Sequence, residues 1–158
     1  MHKNRTLFTF LTALSIYWTV NLILWFPWSI STTLGITLML TAAPFIWAYG
    51  IFKCLRKYPS GKMLKVAALI SSIYLLVAVI SDYFFFGILR NAMTELYQPT
   101  TFYGYAFLVA LPFALIFCFS KSLKVKEDIT NRELFSFLIL GLLSISLLIC
   151  IIKFNITI

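Results

Sequence analysis

Hydrophobic positions in this chain fall into five long runs, set apart by short stretches that carry three of the five prolines and most of the charge. The runs extend from about Thr6 to Phe26, Thr32 to Phe52, Val66 to Leu89, Phe102 to Phe119 and Leu134 to Ile152. Crossing a bilayer takes about 20 helical residues. The pattern therefore predicts an all-α fold, a polytopic transmembrane helical bundle of five spans making up a single integral membrane domain, 1–158. Pro27-Trp28-Ser29 separates the first two spans and Asn91 to Thr101, with Pro99, separates the third from the fourth. Both are places where a helix is expected to stop. The other two connections are charged.

One polar position breaks the third run. Between Lys65 and Arg90 the chain reads as a membrane helix, yet it holds Asp82, the only acidic residue inside any of the five runs. An ionisable group at mid-membrane costs roughly 2.5–3.5 kcal/mol, so it normally faces protein, water or a partner. Stepping back along the helical period from Asp82 meets Ala78, Tyr74 and Ser71, a small or hydroxylic stripe expected to point inward. Asp82 lies one to two turns below the Arg90 end of its span at about 1.5 Å of rise per residue. Asn21 of the first span has a similar depth, with Tyr17 one turn below it, and Thr37 and Tyr105 reach the same level. The expected site is an outward-facing polar pocket built from Asp82, Asn21, Tyr17, Tyr74 and Tyr105, binding an ion, a proton or a cationic ligand group. The competing expectation is a structural carboxyl that locks helices together or meets Arg90.

The cations set an orientation. Lys3, Arg5, Lys53, Arg56, Lys57, Lys62, Lys65, Lys121, Lys124, Lys126 and Arg132 fall on one side, and only Arg90 and Lys153 on the other. By the positive-inside rule the amino terminus is cytoplasmic and the carboxyl terminus outside. Trp25, Trp28, Tyr97, Tyr103 and Tyr105 then gather near the outer interface, with Trp47, Tyr49 and Tyr58 toward the inner one, as amphipathic rings prefer. The basic start followed by an apolar run reads as an uncleaved first helix, because the run is too long for a signal peptide and has no Ala-x-Ala site.

Composition agrees with this class. Of 158 residues 61% are hydrophobic and 11% charged, against about 25% charged in soluble domains. The formal charge of +8 is spread over loops between apolar spans, which weighs against nucleic acid as a partner. The lipid bilayer is the expected partner, in a bacterial-type cytoplasmic membrane. Either a homo-oligomer or another membrane subunit is expected beside it, since almost no chain lies outside the spans.

Packing between helices in lipid relies on small residues at four-residue spacing. Ala106, Ala110 and Ala114, continued by Cys118, form the best such ridge. Ala67 with Ser71, Ala68 with Ser72, and the Thr33, Thr37, Thr41 series are lesser ones. Pro44-Phe45 and Pro112-Phe113 each precede a lysine, Lys53 and Lys121, at equal spacing. That spacing is read as chance, because membrane helices accommodate proline and end in lysine for independent reasons. Asn155-Ile156-Thr157, a glycosylation pattern at the end of the chain, is also read as chance.

Chemistry beyond Asp82 is sparse. Cys54, Cys118 and Cys150 have neither metal-ligand nor disulfide spacing, and no metal or cofactor is expected. The single histidine is His2, and Glu95, Glu127, Asp128 and Glu133 lie outside the spans. The second catalytic group that an enzyme needs is not in evidence, which weighs against one. Two functions fit: a small transport or ion-conducting component using the Asp82 pocket, or a non-transporting interaction subunit (an assembly factor, immunity or defence-system component) working through its helix faces.

Overall fold

An apolar run without access to water must satisfy its own backbone groups, and the α-helix does so within one segment. A computed structural model describes residues 5–59, 62–124 and 126–154, and among them every regular element is helical. In chain order these are α1 (Arg5–Ile30), α2 (Thr32–Leu40), α3 (Ala42–Arg56) and α4 (Met63–Asp82), which runs into a π-helical segment, Tyr83–Leu89. The short α5 (Met93–Leu96), then α6 (Pro99–Cys118), a 3₁₀ turn (Ser122–Lys124) and α7 (Asn131–Lys153) follow. Five units are long and apolar enough to cross a membrane by length and composition: α1, α2 with α3, α4 with its π segment, α6 and α7. His2, Lys3 and the Asn155-Ile156-Thr157 pattern lie outside the described residues.

Two helix boundaries differ from expectation. Pro27 does not end α1, which continues to Ile30. Proline's fixed φ suits a helix, and the helix resumes directly, with Ser31 N–H donating to the Pro27 carbonyl at 2.9 Å. The stop comes at Ser31 instead, whose extended backbone and side-chain oxygen cap α2 by accepting from Leu34 N–H. The second span is interrupted as well. Thr41 sits between α2 and α3 with φ −107° and ψ −74°, and both its N–H and its hydroxyl donate to the Thr37 carbonyl. Pro44 then falls in the first turn of α3, where its missing N–H is not needed.

The bundle is centred on α1. This helix packs against α2, α3, α4 and α7, while α4 joins α1 to α6 and α6 also touches α3. Phe8, Ala13, Ile16, Tyr17 and Val20 of α1 are all buried. Its seam with α7 depends on small and hydroxylic residues. Ser15 Oγ donates to the Phe137 carbonyl at 2.5 Å, and Thr19 and Ser144 hydroxyls lie 3.0 Å apart. Gly141 faces Ser15 so closely that a Cβ there would stand 2.8 Å from Ser15 Oγ and 3.2 Å from its Cα.

The ridge Ala106, Ala110, Ala114 does not pack within the chain. All three are exposed, as is Cys118, and α6 instead buries Leu108, Pro112 and Leu115 against its neighbours. Branched side chains on that opposite face fill the groove more completely than alanines would. Pro112 offers no N–H to the Leu108 carbonyl, and one residue on, the Val109 carbonyl accepts from the Ser71 hydroxyl of α4 at 2.9 Å, tying α4 to α6. The expected inward stripe of α4 is confirmed: Ser71, Tyr74, Ala78 and Asp82 are all buried.

Candidate functional site

Asp82 is the last residue of α4, immediately before the π segment. In that segment the ladder widens, with Arg90 N–H reaching the carbonyl five residues back, Phe85. Asn91 then takes a left-handed conformation, φ 50°, and ends the run. The α4 stripe aims the Asp82 carboxyl at the place where α1, α4 and α6 meet.

Two tyrosines from different helices close on it. The Tyr17 hydroxyl of α1 donates to Asp82 Oδ1, and the Tyr105 hydroxyl of α6 donates to Oδ2 at 2.7 Å. Tyr17 is buried against Trp18, whose ring meets Phe85 at 6.3 Å edge-on. Tyr105 is half-buried and rests on Phe102. Among the described residues Asp82 makes no ion pair; the acidic partners in ion pairs there are Glu95, Glu127 and Glu133. An ionised carboxylate offers about four lone-pair sites, and two phenols fill two of them. The group thus has capacity for a proton or a small cation.

The other residues expected at this site are placed differently. Asn21 sits one turn above Tyr17 and its amide donates to the Tyr17 carbonyl at 3.0 Å, so it braces α1 instead of touching Asp82 through a hydrogen bond. Tyr74 shares the α4 stripe but lies two turns away, fully buried, with its hydroxyl 3.6 Å from Cys54 Sγ of α3. Shared helix periodicity aligned it with Asp82, and distance along the axis separated it. Thr37 is exposed and bonds to the Thr33 carbonyl. Arg90 does not reach Asp82 either. Its guanidinium pairs with Glu95 and lies 5.5–5.9 Å over the rings of Trp25, Phe85 and Phe86.

A second polar cluster was not expected from the sequence. At the opposite end of the bundle the Lys57 side chain is only 1% exposed, and its ammonium meets Glu133 at 2.8 Å, Glu127 at 3.4 Å and the Asp128 carbonyl at 2.9 Å, above the Phe8 ring. Arg56 adds a 2.7 Å pair to Glu127, whose N–H in turn donates to the Arg56 carbonyl. These bonds fasten the segment between α6 and α7 to the end of α3. Glu133 also completes a capping box with Thr130 that starts α7. Nearby, desolvation and the Arg56 guanidinium pull the Lys126 amine below its usual range. The available signal was the Thr130-x-x-Glu133 pattern together with three of the five acidic residues, Glu127, Asp128 and Glu133, gathered in one basic connection.

Among the described residues no group of three potential metal ligands gathers. Comparison of the chain with protein-family models, with curated proteins and with solved structures finds no match, so a functional reading rests on the geometry around Asp82.

Proposed function

We propose that this chain is an integral membrane protein of five crossings, amino terminus cytoplasmic, in a bacterial-type cytoplasmic membrane, and that it is a small transport or ion-conducting component working through Asp82. The observation that carries the reading is the carboxyl of Asp82, buried where three helices meet, held by two neutral donors and facing no counter-charge among the described residues. A charge so placed is costly unless it is neutralised, and a proton or a cation does that. Because Tyr17 and Tyr105 belong to different helices, neutralising Asp82 weakens two contacts between helices at once. The π segment begins at the next residue, and such widened turns recur at functional sites.

The test is reconstitution of the full chain in liposomes with proton- and potassium-sensitive dyes. Wild type is expected to conduct, and Asp82→Asn to abolish the flux while eluting as wild type on size exclusion. Unchanged flux in Asp82→Asn removes the carboxyl from the mechanism.

A second reading has its own support. The exposed ridge Ala106, Ala110, Ala114 presents a small-residue face that no helix among the described residues covers. It suits an interaction subunit, joined to another copy or to a different membrane protein. Ala110→Leu would then break co-purification of the partner and Asp82→Asn would not.

A further inference from the structure

Between the start of α1 and the start of α4 the bundle leaves an open groove of about 520 Å³. Its lining surface is almost wholly apolar, running along α4 through Val66 and Leu69 with Tyr58 and Pro59 at its base, and the side chains of Arg5, Lys62 and Lys65 border it. Among the described residues no acidic one lines it. The three cations make no ion pair among the described residues, in contrast to Lys53, Arg56 and Lys57 at the same end of the bundle, which are matched to Glu127 and Glu133. Lys62 precedes α4 without a side-chain cap, so the first N–H groups of that 20-residue helix add to the positive field. Tyr58 is held by the Thr9 hydroxyl at 3.2 Å, which fixes the base of the groove to α1.

We propose that this groove is a binding site for an anionic glycerophospholipid of the cytoplasmic leaflet, its phosphate headgroup among Arg5, Lys62 and Lys65 and an acyl chain along Val66 and Leu69. The inference rests on the membrane reading above and on the basic end being cytoplasmic. Charge and shape agree on one occupant. A soluble anion would use the cations and leave the apolar wall bare, and a zwitterionic lipid would bring a cationic amine beside its phosphate, which three unpaired cations repel. Basic pockets between membrane helices on the cytoplasmic side take anionic headgroups for this reason.

Native mass spectrometry of the full chain, released from detergent micelles doped with phosphatidylglycerol or phosphatidylcholine, tests it. Wild type is expected to retain phosphatidylglycerol preferentially. Replacing Arg5, Lys62 or Lys65 by Gln is expected to weaken that retention about five-fold per cation. The control, Lys121→Gln with Lys124→Gln, removes two exposed charges outside the groove and should leave retention within about two-fold of wild type. Leu69→Trp, which fills the wall without changing charge, should displace both lipids. Equal retention of the two lipids, an equal loss in the control, or displacement by inorganic phosphate alone would overturn the proposal. Carbonate extraction of the membrane fraction separates the two levels: release of the chain refutes the membrane reading, whereas a chain that stays in the membrane yet shows no headgroup preference refutes the groove alone.

Discussion

Replacing Gly141 by alanine probes the closest approach in the bundle. The added Cβ would stand 2.8 Å from Ser15 Oγ and 3.2 Å from Ser15 Cα, where ordinary contact begins at 3.4 Å. Ser15 Oγ cannot swing aside freely, because it lies 2.5 Å from the Phe137 carbonyl and 2.8 Å from the Leu11 carbonyl. Either the α1–α7 seam opens or Ser15 gives up its bond to α7. Overpacking of this kind costs about 1–3 kcal/mol. Giving up the hydrogen bond instead costs about 0.5–1.5 kcal/mol. The usual helix-propensity gain of Gly→Ala does not offset this if both helices are already formed in the separated state in lipid. The expected net loss is about 1–3 kcal/mol, read as an earlier midpoint when the protein in mixed micelles is titrated with SDS. Ser15→Ala removes the 2.8 Å clash and leaves the seam's backbone in place. The double variant should therefore be more stable than the sum of the single effects, and the excess measures the steric part. A neutral Gly141→Ala, or strict additivity with Ser15→Ala, would refute the seam as described.

Three further outcomes follow from other contacts. Tyr17→Phe and Tyr105→Phe each remove one donor from Asp82 and are expected to cost about 1–3 kcal/mol in the same titration, with the more deeply buried Tyr17 the costlier; no loss in either would dissolve the three-helix junction. Glu133→Gln leaves the nearly inaccessible Lys57 ammonium short of its nearest carboxylate and should destabilise by about 1–3 kcal/mol, with faster proteolysis of the segment between α6 and α7; wild-type protection would show that the cluster is idle. Since the Lys126 amine is pulled down, it loses its proton at lower pH than an ordinary lysine. Its acylation by acetic anhydride should therefore rise at lower pH than that of a model lysine amide, and coincident profiles would contradict the geometry around Arg56.

What the chain declared by itself was its length in apolar units. Five runs became five helical units of crossing length, because backbone satisfaction without water is a local demand that each segment meets alone. Asp82 was legible for a similar reason: a single carboxylate within an apolar run stands out against every neighbour, and its link to Tyr17 and Tyr105 followed from depth. Which faces touch was a different matter. In a segment apolar on all sides, periodicity does not distinguish the face that packs from the face that meets lipid, so the alanine ridge of α6 marked a packing face without saying whether its partner lies in the same chain, and in the bundle it is exposed. Tyr74 was drawn to Asp82 by a shared stripe and bonds instead across to Cys54. The Ser15–Gly141 approach and the burial of Lys57 under the α6–α7 connection depend on residues more than 60 positions apart meeting in space, and the central place of α1 on packing against four other helices, which only the tertiary structure decides.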